Sequence, residues 1–404
     1  MADLIGFNAI AFVAFITIII ALRLPSIASI LFVAFTVRLF TIIIGHYIFD
    51  LPDSSADALN FEKQAWDIGQ HGFFNVLRNF EGPDSRFVSW LIAIVYSFFG
   101  RSLLMAQSIS LFFGIGCVVL GWKLGYVLWD NHTAKKIGWT IALFPSLILY
   151  SVSFLREVYV CFFLLVAIYG VVNWAKNEDF KSIIIAMIGF IGAAFFHGAM
   201  LIGAITFIAI IFITSFNKVF RLLKYNFISL KNFILLIFCI IILGLYLLNF
   251  INIQYLGTFE KTTDLENLFY KTEISTKGVA SFPDWTVINS PIELIYKSPI
   301  RAIYFIFSPF PWDVKNIEHL IGIFDSILYF YLSILIFRNR AVIWRDKALR
   351  YTLIILVFYI IVFGIGVGNF GTAIRHRSKF VIIIILLAGP LLKRLVFNKS
   401  ATKV

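Results

Sequence analysis

Apolar runs long enough to cross a bilayer recur along this chain from Ile5 to Pro390, and they constrain its fold more than any other feature. Inside hydrocarbon every backbone N–H and C=O must find a partner within the protein, so only helices and closed barrels can span. The runs are continuous rather than alternating, which selects helices. Of the 404 residues 60% are hydrophobic and only 14% charged, too few charges to clothe a water-soluble surface of this size. The fold class expected is therefore an all-α polytopic membrane protein.

About 11 transmembrane helices are expected, over 5–22, 27–48, 103–128, 137–154, 158–175, 182–196, 199–216, 233–251, 319–337, 351–367 and 379–392. The first run follows only Met1-Ala2-Asp3 and lacks a basic leader, so it reads as a retained helix rather than a signal peptide. A single transmembrane domain over 1–404 accounts for the chain, with two long outer loops at 49–102 and 252–318.

A net charge of +12 raises the possibility of nucleic acid, but the basic residues sit in short loops between apolar runs and form no stripe. They act as topology signals. Arg23, Lys135-Lys136, Lys176, Lys181, the 218–231 stretch, the 338–350 stretch and the tail from Lys393 fall in alternate loops. The positive-inside rule puts these loops in the cytoplasm, with the amino terminus periplasmic and the carboxyl terminus cytoplasmic. Cys117, Cys161 and Cys239 lie inside apolar runs with no disulfide or zinc spacing.

In the first outer loop Ser54 or Ser55 is placed to cap a juxtamembrane helix whose early turns carry Asp57 and Glu62. The run 86–99 is too short to span and suits the interface. The second loop, with Ser298-Pro299 and Ser308-Pro309-Phe310-Pro311-Trp312, reads as a partly ordered, membrane-dipping loop.

The topology gathers charged groups from distant segments at the outer face: Asp57, Arg156-Glu157, His197, Arg301 and Arg375-His376-Arg377. Ionisable groups beside hydrocarbon are costly unless they pair or line a wet cavity, so their convergence defines a candidate site. Each residue also has a plainer reading. Asp57 in a helix's first turn favours the helix dipole, Glu157 can be the ion-pair partner of Arg156, and His197 in a tight interhelical turn can be a structural hydrogen-bonding group. The basic trio before the last helix breaks the positive-inside pattern, and its forked, permanently charged guanidinium groups suit a lipid phosphate or diphosphate. No P-loop, dinucleotide fingerprint, HExxH, GxSxG or Cys/His metal spacing occurs in its required context.

In order along the chain, Ser55-Ala56-Asp57-Ala58, Tyr96-Ser97-Phe98-Phe99-Gly100-Arg101-Ser102, Ala142-Leu143-Phe144-Pro145-Ser146 and Ser153-Phe154-Leu155-Arg156-Glu157 resemble the GT-C superfamily of membrane glycosyltransferases. The likeness covers roughly the first 175 residues and is nearest to the bacterial branch of protein mannosyltransferases and aminoarabinose transferases. Pro309-Phe310-Pro311-Trp312 and Arg375-His376-Arg377 also look like segments of O-antigen and exopolysaccharide polymerases. The resemblance implies an inner-membrane enzyme that moves a sugar or oligosaccharide from a polyprenyl phosphate or diphosphate carrier to a glycan acceptor at the periplasmic face. It implies that Asp57 is the base and Glu157 a second catalytic acid. An extra helix, 5–22, precedes the family's usual first one, and Asp57 is not part of an adjacent acidic pair.

Arg375 and Arg377, helped by Arg156, Arg301, His197 and His376, are the candidate substrate-binding groups. A divalent metal, magnesium or manganese, is compatible with carboxylates and phosphate oxygens, but the sequence does not demand one. Polymerase-type transfer of repeat units and single-sugar transfer to lipid A, protein or glycan use the same chemistry, and polysaccharide assembly is the favoured expectation. A lipid-oligosaccharide flippase or transporter is the competing class. It would place its ionisable groups near the bilayer midplane in two related halves, whereas here they gather at one face.

Overall fold

The computed structural model describes residues 2–54, 57–80, 82, 86–223, 237, 272–273, 280–314 and 317–393. These residues are mostly helical, and none of them forms a strand. Long apolar runs without internal Gly/Pro clusters leave the helix as the conformation that satisfies the backbone within each segment.

The amino-terminal pair is α1 (Ala2–Arg23) and α2 (Ala28–Tyr47), followed by the amphipathic α3 (Asp57–Gly69), a short α4 (Phe73–Arg78) and α5 (Phe87–Phe99). The long α6 (Leu103–Leu128) starts at a Ser102 cap, whose hydroxyl accepts the Met105 N–H. Then come α7 (Asn131–Leu143), α8 (Pro145–Val152), α9 (Glu157–Asn177), α10 (Phe180–Phe196) and α11 (Leu201–Leu223). The carboxyl-terminal part holds α12 (Pro291–Phe307), α13 (Ile317–Arg338), α14 (Arg340–Arg345), α15 (Lys347–Gly366) and α16 (Phe370–Ala388).

Among the described residues six helical stretches are long and apolar enough to cross a membrane: Ala2–Arg23, Pro25–Tyr47, Leu103–Leu128, Glu157–Asn177, Gly198–Lys218 and Lys347–Gly366. The chain is thus an all-α protein of membrane type. Of the expected segment 233–251 only Ile237 falls among the described residues. The expected 182–196 is a shorter apolar helix, α10, packed along α9.

The single span expected over 137–154 is broken into α7 and α8. Pro145 has no N–H to return to the Ile141 carbonyl, and it drives Phe144 into an extended conformation (φ −69°, ψ 123°). The buried Arg38 fills the gap. Its Nη1 donates to the Ala142 carbonyl at 2.9 Å, its Nη2 to Ile141 at 3.4 Å and its Nε to Ser151 Oγ at 2.8 Å. A cation buried in α2 thereby replaces backbone donors lost at a proline, which is a structural task rather than capture of a carrier phosphate.

Two further expectations change. The Ser54 hydroxyl donates to the Leu51 carbonyl at 2.6 Å instead of capping α3, and Ser55 lies outside the described residues. The stretch read as a membrane-dipping loop contains α12, a regular helix whose cap is Ser290, with Pro299 inside it.

The last helix begins at Phe370, not at 379, because Asn369 caps it: its side-chain oxygen accepts the N–H groups of Gly371 at 2.8 Å and Thr372 at 3.2 Å. At this cap the chain pairs with the stretch that leads into α12 through an isolated antiparallel bridge between Ser281 and Asn369. Phe282 N–H bonds the Gly368 carbonyl at 2.7 Å, and Phe370 N–H bonds Ala280 at 2.9 Å.

The two ends of α16 lie in different chemical surroundings. At its carboxyl end Trp129 Nε1 and Lys136 Nζ donate to the Leu386 and Pro390 carbonyls, each at 2.9 Å, so the junction of α6 with the basic first turns of α7 sits there. At its amino end sits the charged cluster described next.

Candidate functional site

Four elements bring their ends together: the first turn of α3, the first turn of α9, the turn between α10 and α11, and the second turn of α16. Arg375 on α16 is the hub. Its Nε donates to Glu157 Oε1 at 2.8 Å, and its Nη1 to Asp57 Oδ2 at 2.5 Å. Acids at the amino ends of α3 and α9 are favoured there by the helix dipoles, which is one local reason these positions carry them.

The two carboxylates differ in setting. Glu157 is fully buried, whereas Asp57 is 56% exposed. Around Glu157 Oε1 also stand Lys379 Nζ at 3.5 Å and His376 Nδ1 at 3.9 Å. Lys379 in turn lies 2.8 Å from His376 Nδ1, and the His376 ring stands edge-on to His197 at 5.3 Å between centroids. Arg156 caps α9 and adds its positive charge to the field at Glu157 and at His197. Burial, with the Lys379 and Arg156 charges added, holds the His197 imidazole well below its usual pKa, so it is neutral at pH 7.

Several polar atoms in this cluster make no protein hydrogen bond: Arg375 Nη2, Glu157 Oε2 and His197 Nδ1. Buried polar groups left in this state are rare and costly in a structural ion-pair network, but usual where a ligand completes the set. Arg375 thus holds two carboxylates and keeps a guanidinium nitrogen free for an anion.

Asp57, Arg156, Glu157, His197, Arg375 and His376 are therefore brought together as the sequence leads one to expect. Arg377 and Arg301 are not. Both are fully buried, and helical geometry points Arg377 away from the Arg375 side of α16. Arg377 spends all five of its N–H groups on protein: two bonds to Asp325 Oδ2 at 3.0 and 2.6 Å, one to Ser326 Oγ, and one each to the Ile306 and Ser308 carbonyls. Arg301 donates to the Gly364, Thr286 and Val367 carbonyls at 3.1, 3.1 and 2.8 Å. Arg377 ties α12 and α13 to α16, and Arg301 ties α12 to the end of α15, so in place of the substrate-binding role expected of them the two make positioning contacts.

Lys379 was hidden in the sequence because it opens what reads as an apolar span. The signal that could have exposed it is its i+4 spacing from Arg375, which puts both cations on one helix face. Asp53 was also missed. Its Oδ2 accepts from the Tyr150 hydroxyl at 2.8 Å, and its backbone takes a left-handed φ of 60°. Nothing in the local sequence announces a pairing across so many residues.

The donor set does not suit a divalent metal in this arrangement. Arg375 occupies the space between the Asp57 and Glu157 oxygens, and no cluster of three His, Cys, Asp or Glu side chains is placed for a metal among the described residues.

Fold and site together define the class: an all-α membrane protein carrying a polar, ligand-competent cluster where the ends of four elements meet. No protein family, curated protein or solved structure compared with this chain matches it.

Proposed function

We propose that the chain is a membrane glycosyltransferase of GT-C-like architecture that takes a sugar or oligosaccharide from a polyprenyl phosphate or diphosphate carrier at the periplasmic face, in the assembly of a cell-surface polysaccharide. The carrying observation is the pairing of a solvent-facing carboxylate, Asp57, with a guanidinium whose Nη2 is unspent. Glycosyl transfer needs a base for the acceptor hydroxyl and a cation for the leaving phosphate within reach of one anomeric carbon.

In the proposed step Asp57 accepts the proton of an acceptor hydroxyl, and the oxygen attacks the anomeric carbon. The bond from that carbon to the carrier phosphate oxygen breaks, and the electron pair leaves with the phosphate. Arg375, supported by Arg156 and Lys379, binds the charge that grows on this phosphate more strongly in the transition state than in the ground state. Glu157 acts differently from the expectation of a second catalytic acid: ringed by cations, it anchors Arg375 rather than exchanging protons. The reading carries with it about 11 spans, a periplasmic amino terminus and a cytoplasmic carboxyl terminus. Polymerase-type joining of repeat units is preferred over addition of a single sugar.

The test is incubation of the purified full chain with lipid-linked saccharides extracted from the producing cells, followed by mass analysis of glycans. Longer glycans released from or rebuilt on the carrier support the reading. Unchanged donor together with measurable movement of the lipid across the membrane overturns it in favour of a flippase.

A further inference from the structure

A cavity of about 270 Å³ opens between α3 and the described residues Asn79, Phe80, Gly82 and Arg86 that lie between α4 and α5. Among its lining residues are Gln64, Asp67, Asn79, Phe80, Arg86 and Trp90. Gln64 lies seven positions beyond Asp57, so two helical turns return it to the face of α3 that carries the carboxylate. At a 1.5 Å rise per residue it sits roughly 10 Å along the helix from Asp57.

One wall is aromatic. The Trp90 ring lies 4.6 Å from Phe80 and stacks on Phe87 at 5.7 Å and 21°. Trp90 Nε1 donates to the Val76 carbonyl at 2.8 Å, which fixes the indole and leaves its face, not its N–H, for a ligand. Phe87, which lines the cavity, packs against Phe195 and Phe196, each about 5 Å away, and these directly precede His197 of the charged cluster. Gln64 and Asp67 on α3 and Asn79 beside Phe80 add two amides and a carboxylate to the lining, and Gln64 Oε1 is buried without a hydrogen-bond partner.

We infer that this cavity is the saccharide-binding subsite for the glycan whose reacting hydroxyl meets Asp57. A sugar ring has an apolar C–H face that lies against fixed aromatic rings, and an edge of hydroxyls that pair with amide and carboxylate groups able to donate and accept. The volume lies just below the roughly 300–1,000 Å³ of typical ligand pockets, enough for a compact ring and too small for an acyl chain with its headgroup. A phospholipid headgroup would want cations around its phosphate. Here Asp67, Asn79 and Gln64 outnumber Arg86. The inference deepens the proposed glycosyl transfer and rests on it for the identity of the ligand as acceptor, while saccharide binding itself is tested separately.

Phe80 lines the cavity and is 42% exposed, so an aromatic photo-crosslinker at its position keeps a ring in the wall while facing whatever binds there. With p-benzoylphenylalanine at position 80 of the full chain in its own producing membranes, irradiation should give an adduct whose mass contains hexose-type units. Gln64→Leu should lower its yield about five-fold, the equivalent of one hydrogen bond of ~1 kcal/mol. Adducts of acyl lipid or peptide alone, or none, overturn the inference. Introducing Asp57→Asn beside the reporter separates the two readings. A saccharide adduct that persists while transfer is lost supports both. Lost transfer with no saccharide adduct removes the subsite alone, retained transfer in Asp57→Asn removes Asp57 as the base and with it the alignment of the subsite on that carboxylate, and no transfer by the unsubstituted chain removes the proposed function whatever the adduct.

Discussion

Arg375 Nε donates to Glu157 Oε1 at 2.8 Å, joining the start of α9 to the second turn of α16 across 218 positions of sequence. The bond buries one carboxylate completely, and on its other branch the same guanidinium reaches a carboxylate left largely in solvent. Glu157 therefore fixes where Arg375 sits, and Arg375 fixes where Asp57 points.

Replacing Arg375 by Ala removes both bonds and leaves Glu157 with Lys379 and Arg156. We expect glycan transfer to fall about 10²–10³-fold, the range for loss of one preorganised electrostatic group. Arg375→Lys should recover little, since one ammonium cannot bridge both acids. Transfer from lipid-linked donor, measured alongside thermal unfolding in detergent, checks this. Wild-type rates in the Ala variant would remove Arg375 from the mechanism.

For Asp57→Asn the expected loss is about 10²–10⁴-fold, the usual worth of a general base. Stability should barely move, because the side chain is 56% exposed and the amide oxygen still accepts from Arg375. A variant that melts much earlier than wild type would instead mark Asp57 as structural.

Arg377 and Asp325 predict the reverse pattern. Arg377→Met alone strands a buried carboxylate and should cost about 3–5 kcal/mol, seen as a lower unfolding temperature and poor recovery from membranes. Combining it with Asp325→Leu should restore most of that stability, since the charge left behind is gone. If the double variant is no more stable than the single one, the pair is not the clamp described above.

These contrasts show what the sequence could and could not reveal. Asp57, Glu157 and Arg375 stood out because charge between apolar runs is conspicuous, and loop alternation placed them at one face. Arg375 and Arg377 looked equivalent, two residues apart in one basic trio. A helix turns them to different sides, and only the partners on α12 and α13 decide that one is saturated and the other has a donor to spare. Lys379 was masked by the apolar run around it, and the proline break at Phe144-Pro145 was masked by hydropathy, which averages across a missing N–H. Of the segment 233–251 only Ile237 is among the described residues.

Acid should destabilise the protein partly through His197. Its buried imidazole is held below its ordinary pKa, so the unfolded chain binds the proton more readily than the folded one. Stability from this residue is complete above the unfolded value of about 6.5 and declines as pH falls beneath it. His197→Asn should therefore lose less unfolding temperature than wild type between pH 7.5 and pH 5. An equal loss in both would show that folding leaves the affinity of the imidazole for its proton unchanged.

The short pairing between Ser281 and Asn369 ties the stretch leading into α12 to the very residue that caps the helix bearing Arg375. That segment is consequently no interchangeable cassette. A chimera that swapped it for a loop of equal length from another membrane protein would lose the pairing that holds Asn369 at the head of α16, and would loosen the seat of the guanidinium without touching Arg375 itself.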